Sequence, residues 1–273
     1  MAKLFDTEER IVPTWLAAAR YLNKQRPRQG KNLVLEISNP LDLTEDDLAV
    51  MAKVDQALAH CDLTLKTVAG TIFPIAMYNR YGRPGYYAKY TEMLQRGKAA
   101  NTWGTYAQRM ISRPGKELGT TINPLEHLVK KLANDGQPQK RDGKKALYVS
   151  TYELSVADPE EDLQLKTDVG GEIPTYNPAF DMKRWLGLPC LSHLSFKRVP
   201  HANGHAVDLT AIYRSHHYCA RALGNLLGLA QLLSFVAKES NLQVGSLSCL
   251  STHAELDVGE WGGVSIANAI LEH

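Results

Sequence analysis

The chain has 273 residues, 44 % hydrophobic and 22 % charged, a globular balance that excludes disordered and low-complexity classes. Lys and Arg number 31 against 29 Asp and Glu, a formal charge of +2, too close to neutral for a nucleic-acid coat or a polybasic membrane anchor. Four cysteines (Cys61, Cys190, Cys219, Cys249) make no CxxC pair, and Met1-Ala2-Lys3-Leu4-Phe5-Asp6 lacks a signal-peptide core, so the expected setting is the reducing cytoplasm rather than a disulfide scaffold or zinc ribbon.

In chain order, Trp15, Leu16, Ala19 and Leu22 fall on one helical face. Arg26 to Lys31 breaks that helix, and Asn32–Ile37 reads as a short strand. Thr44 with Asp47 resembles a capping box opening a helix through Leu48, Met51, Val54 and Leu58. The β-branched run Leu63–Phe73, stopped by Pro74, predicts a strand. Asn123-Pro124-Leu125-Glu126 combines an N-cap, a first-turn proline and an acidic third position, a strong start for a helix reaching about Asp135. A polar loop to Gly143 and a strand Lys144–Tyr152 follow, then a long excursion from Asp158 to Leu188, of a length that is usually functional or mobile.

The last third has the sharpest pattern. Cys190–Val199 and Val207–Arg214 predict a hairpin, with Val207, Leu209, Ala211 and Tyr213 on one face and a turn over Pro200–His205. A helix over about Cys219–Ser240 and a strand Gln243–Leu250 complete it. The apolar stretch Ala220–Ala237 is interrupted by Arg221, Asn225, Gln231 and Ser234, which suits a buried helix rather than a membrane span. With no repeat and no linker, residues 1–270 read as one α+β domain whose mixed sheet packs on a central apolar helix. Leu271-Glu272-His273 has the look of an expression-tag remnant.

Three features carry chemistry. Cys190 sits at the mouth of a strand after a long loop, where a neighbouring cation would make its thiol a nucleophile; a small buried hydrophobe is the bland alternative. Arg214-Ser215-His216-His217 ends a strand with donors suited to a phosphate. Its two histidines point to opposite faces and make poor co-ligands, so no metal is expected. Asn225 lies in an otherwise apolar helix, where a buried amide must be satisfied by a neighbouring loop or by the edge of a bound base. Gly224 and Gly228 beside it would admit another backbone or a flat ligand.

These residues are similar in order and spacing to the thymidylate synthase family, which includes the pyrimidine-nucleotide hydroxymethylases. The resemblance covers roughly Asn101 to Asp257 and is best from Leu188 onward. Pro189-Cys190 resembles the family's nucleophile, Arg214-Ser215 its phosphate pair, and Asn225 its base-reading residue. Leu242-Gln243-Val244-Gly245 and Ser251-Thr252-His253 resemble the turn and strand that bring a sugar-contacting His. Lys144-Lys145 stands where the family has an Arg pair crossing a dimer to the partner's phosphate, and Trp103-Gly104 more loosely resembles an aromatic-Gly near the site.

The resemblance implies an α/β sandwich that dimerises through its sheet. It also implies a pyrimidine nucleoside monophosphate substrate, dUMP or UMP, and methylenetetrahydrofolate as one-carbon donor. Cys190 would add to C6, and C5 would then be methylated or hydroxymethylated. Asn225 rather than Asp favours uracil over cytosine, and Arg214 would favour the thiolate. Neither nucleic acid nor membrane is an expected partner. Departures lie mostly on the cofactor side: Leu191 replaces a His, His217 an Asp that meets the pterin, and Arg221 a Gly against the folate. Glu255 replaces a Tyr near the sugar and would accept bonds from both hydroxyls of a ribose. The proton-relay Glu has no clear counterpart; Glu92 and Glu126 qualify only by proximity. Two alternatives stay open: a nucleotide-binding protein without turnover, and a related enzyme using another donor or a cytosine nucleotide.

Overall fold

A computed structural model of the chain describes residues 2–97, 104–115, 119–134, 139–141, 144–146, 152–156, 189–202 and 204–272. The expected excursion from Asp158 to Leu188, Trp103 and the middle of the strand expected over Lys144–Tyr152 lie outside them. The first half carries β1 (Lys3–Leu4), α1 (Ile11–Lys24), β2 (Gln29–Ile37), α2 (Glu45–Leu58), α3 (Leu65–Ile72), α4 (Ile75–Tyr81) and α5 (Gly85–Gly97). Next come α6 (Tyr106–Ile111), β3 (Arg113–Pro114), β4 (Thr121–Ile122), α7 (Pro124–Asn134), β5 (Gln139–Arg141), β6 (Lys144–Ala146) and β7 (Tyr152–Ser155). The C-terminal part runs β8 (Leu191–His201), β9 (Gly204–Tyr213), β10 (His216–His217), one π-helical turn (Tyr218–Ala222), α8 (Leu223–Glu239), β11 (Gln243–Glu255) and α9 (Val264–Leu271).

The main sheet is ordered β1-β2-β11-β9-β8-β7, with β10 paired to β11. It is mixed: β8 and β9 form the expected antiparallel hairpin, while β9 and β11 run parallel. Strand alternation separates its faces. Leu154, Leu194, Ala211, Cys249 and Leu35 form one cross-sheet row and Tyr152, Phe196, Leu209, Leu247 and Ile37 the next, all buried. The alternate row, Glu153, Ser195, Thr210, Ser248 and Glu36, is exposed or half-exposed. The hairpin is tighter than its sequence suggested, because Pro200 and His205 still pair across it. β11 extends beyond the expected Leu250 to Glu255, since β2 and β10 both pair with its far end.

The helix starts follow their caps. Thr44 and Asp47 form a reciprocal capping box, and Asn123 Oδ1 accepts from Glu126 N at 2.8 Å. The strand expected over Leu63–Phe73 is helix α3 instead. Thr64 and Thr67 cap it as a second box, and Leu65, Val68, Ala69 and Ile72 supply one buried helical face. That face packs on α8 where Gly224 and Gly228 leave room. A Cβ on Gly224 would lie 2.6 Å from Val68 Cβ, and one on Gly228 would lie 2.7 Å from the Ala69 carbonyl oxygen. The two glycines therefore admit a backbone, not a flat ligand.

α8 and the π turn before it form a helix apolar and long enough to cross a membrane by composition, yet 78 % of its apolar window is buried in the core. Trp15 and Trp261 meet edge-to-face at 5.9 Å and clamp the π turn by donating to the Tyr218 and Cys219 carbonyls at 3.2 and 3.1 Å. Leu271, grouped with the terminal residues on sequence, ends α9 as a buried side chain, and its carbonyl accepts from Arg20 Nε at 2.7 Å.

Candidate functional site

Cys190 immediately precedes β8 and is held through its backbone. Its carbonyl accepts from Arg214 N at 2.9 Å, joining it to the end of β9. The Tyr106 hydroxyl, at the start of α6, accepts from Cys190 N at 3.1 Å and Leu191 N at 3.4 Å. Arg214 Nε donates to the Pro189 carbonyl at 2.8 Å, which fixes the guanidinium beside the thiol and leaves its terminal nitrogens for an anion. Burial pushes the Cys190 thiol up, while Arg214 and then Arg221 pull it down; burial outweighs them. The resting group is thus a thiol with two cations in place to receive its charge. Tyr106 is itself pushed up to about 12, first by burial and then by the repulsion of Cys190 once ionised, and stays a phenol.

A second group lies deeper. Asn225 on α8, His216 on β10 and Ser251 on β11 are 4 %, 1 % and 0 % exposed. Asn225 Nδ2 donates to His216 Nε2 at 3.2 Å, and His216 Nδ1 lies 2.9 Å from Ser251 Oγ. The His216 ring stacks on Tyr213 with centroids 4.0 Å apart. Burial drives its pKa down to about 3, so the imidazole is neutral. The amide expected to seek a loop or a base has found a histidine, and its Oδ1 carries no hydrogen bond among the described residues.

The third group faces outward. His217 Nδ1 lies 3.6 Å from Asp257 Oδ2. Its pKa is raised, first by the hydrogen bond to Asp257 against an opposing burial cost, then by the charges of Asp257, Glu255 and Glu260. Asp257 also accepts from Cys219 N at 2.8 Å and Ala220 N at 3.4 Å, holding the π turn that carries Arg221. Glu255, Asp257 and Glu260 line an open groove with Arg26 and Arg28.

The structure therefore sets Cys190 within the influence of Arg214 and Arg221, pairs Asn225 with His216, and sets His217 beside Asp257, Glu255 and Glu260. Ser215 lies half-exposed between Arg214 and His216, and His253 pairs with Lys31 across β2 and β11. Lys144 and Lys145 lie on the separate β5–β6 hairpin, and their side chains are outside the described residues. Glu92 pairs with Lys89 and Arg96, and Glu126 with Arg83, Lys130 and the Tyr87 hydroxyl, so both are committed elsewhere. Tyr106 and Asp257 were not singled out by sequence, and His216 and Ser251 entered only as members of longer motifs. A signal for Tyr106 was available, because it follows Gly104 and the helix-capping Thr105 directly.

No family model matches the chain. Over 174 residues, 63 % of its length, it is 25 % identical to a curated protein of Methanococcoides burtonii named "Putative thymidylate synthase". The chain is similar in sequence to that protein. It spans 62 % of that relative's length. Among solved structures, thymidylate synthase from T4 phage aligns with this chain at a TM-score of 0.44 and 13 % identity, over 89 % of this chain and 76 % of that one.

Proposed function

We propose that the chain binds a uracil nucleoside monophosphate and activates its C5 by adding the Cys190 thiolate at C6. The arrangement of Tyr106, Arg214 and Arg221 around Cys190 carries this reading. Tyr106 fixes the backbone at the nucleophile. Arg214 binds the phosphate with the nitrogens that Pro189 leaves free, Ser215 adds a hydroxyl, and both arginines stabilise the thiolate. In the addition, the Sγ–C6 bond forms as the C5=C6 pair shifts into an enolate across C5, C4 and O4. The Asn225 amide donates to O4 and accepts from N3–H. C5 then takes an electrophile, its proton departs, and elimination of Cys190 restores the double bond. His253 and Glu255 are the candidates for the sugar. A homodimer through the open sheet face, with Lys144 and Lys145 reaching the partner's phosphate, belongs to the same reading.

Methylation or hydroxymethylation at C5 needs a one-carbon donor. The described residues do not fit the methylenetetrahydrofolate that the resemblance implies. His217 is committed to Asp257, Arg221 brings a guanidinium toward the thiol, and α3 is packed directly on α8 at Gly224.

The test is mass spectrometry of dUMP, UMP, dCMP and CMP incubated with the protein in deuterated water, with and without methylenetetrahydrofolate. Deuterium should appear at C5 of a uracil nucleotide, and Cys190→Ala should abolish exchange while nucleotide affinity stays within about threefold. Transfer of a methyl or hydroxymethyl group would restore the folate donor. The upward-shifted Cys190 thiol favours a second reading, a nucleotide-binding protein without turnover. Tight nucleotide binding with no exchange would select it.

A further inference from the structure

We propose that His216, together with Ser251, is a positioning residue that sets the orientation of the Asn225 amide and thereby selects uracil over cytosine. The inference rests on the reading of Asn225 as the group that meets the base. A carboxamide has no preferred flip of its own, since its two prongs have nearly the same shape and opposite hydrogen-bonding character. Uracil offers an acceptor at O4 and a donor at N3; cytosine offers the reverse at the same two places. Whichever prong faces His216 therefore decides which base the remaining edge fits.

The geometry points to one orientation. Asn225 Nδ2 faces His216 Nε2 at 3.2 Å. Nitrogen Nδ2 can only donate, so Nε2 must be the bare, accepting nitrogen. In a neutral imidazole the proton then sits on Nδ1, which donates to Ser251 Oγ at 2.9 Å. One N–H of the amide is spent on His216, and the other stays beside Oδ1. That leaves the remaining N–H on the His216 side and Oδ1 beyond it, an order that fits uracil when O4 is the base atom nearer His216. The opposite chain is equally complete on paper: Ser251 donating to Nδ1, and Nε2–H donating to Oδ1. It would present the amide in the cytosine-reading sense. The stack on Tyr213 at 4.0 Å fixes the ring plane, and a flip within it would set carbons where both nitrogens now find partners, so the choice falls on the proton position and not on ring orientation.

The first measurement uses the unmodified protein: the 15N shifts of the His216 ring show which nitrogen is protonated. Protonated Nδ1 with bare Nε2 is expected; protonated Nε2 would overturn the inference. The second compares affinities for UMP with CMP, and dUMP with dCMP, by calorimetry, with ribose 5-phosphate as the probe for the phosphate and sugar contacts. The unmodified protein should favour uracil by about tenfold or more. His216→Phe should reduce that preference to about threefold or less, with ribose 5-phosphate affinity unchanged. His216→Gln, whose amide can still accept from Asn225, should recover part of it and serves if the Phe variant does not fold. A preference for uracil that survives both variants would overturn the role of His216 and leave the nucleotide reading standing. Failure of the unmodified protein to bind any of the four nucleotides would overturn that reading and the specificity role with it.

Discussion

On one side of β10, His216 is closed in by Tyr213, Asn225 and Ser251, and burial drives its pKa down to about 3. On the other, His217 stands half-exposed beside Asp257, Glu255 and Glu260, and its pKa is raised. The residues are the same type and one peptide apart. The alternation of the strand sends them to opposite faces; burial then keeps one a neutral acceptor, while the carboxylates favour the charged form of the other. The two adjacent histidines are therefore two separate devices.

Lysine substitutions should separate the two sides most widely. His216→Lys places a charge where the protein holds a neutral ring and leaves Asn225 unpaired, at an expected cost of about 3–5 kcal/mol in urea denaturation. His217→Lys puts a cation beside carboxylates that already favour one, at a half-exposed position, and should change stability by no more than about 0.5 kcal/mol. Equal losses at both positions would break the comparison.

A smaller effect distinguishes them through pH, and the signs are opposite. His216 is neutral when folded down to about pH 3, but takes a proton below about 6.5 when unfolded. Its contribution is therefore intact above pH 6.5 and falls by about 1.4 kcal/mol per unit as pH drops, or about 2 kcal/mol between pH 7 and 5. His217 has a raised folded pKa, so its contribution is present below about 6.5 and is lost as pH rises through the folded value. Unfolding measured across pH 5–8 should lose part of its acid limb in His216→Phe. Asp257→Asn should bring the His217 titration, followed by NMR, back down. An acid limb unchanged in the Phe variant would mean that His216 is not the group responsible.

Much of this was legible where the signal is local. The Thr44 and Asn123 caps, the one-faced hairpin strand and the apolar helix all rest on residues within a turn or a strand of one another. α3 was misread because Val68, Thr71 and Ile72 suggest a strand by type, while Leu65, Val68, Ala69 and Ile72 spell a helix by spacing. What decided it was distant, the two glycines of α8 that receive it. The site divides in the same way. Cys190, Arg214 and Asn225 were found by motif. Tyr106 reaches Cys190 from 84 positions away and Ser251 reaches His216 from 35, distances over which a single sequence carries no periodic signal.

The smallest effect concerns the two arginines, and it sharpens the contrast between a site tuned by charge and one tuned by burial. Only the thiolate is alkylated, so at fixed pH the rate at Cys190 reports how far burial has pushed the thiol up against the pull of Arg214 and Arg221. Removing a cation leaves burial less opposed, raises the thiol further and slows the reaction. Arg221→Ala should slow carboxamidomethylation of Cys190 at pH 8 by about two- to fivefold, and Arg214→Ala by more, because Arg214 exerts the larger pull and also tethers Pro189. Peptide mapping separates Cys190 from the half-exposed Cys61, while Cys219 and Cys249 are buried. An unchanged or faster rate in Arg221→Ala would remove that residue from the electrostatics of the thiol. It would also remove one of the objections to a folate on that side, since a guanidinium without influence on Cys190 need not occupy the space beside it.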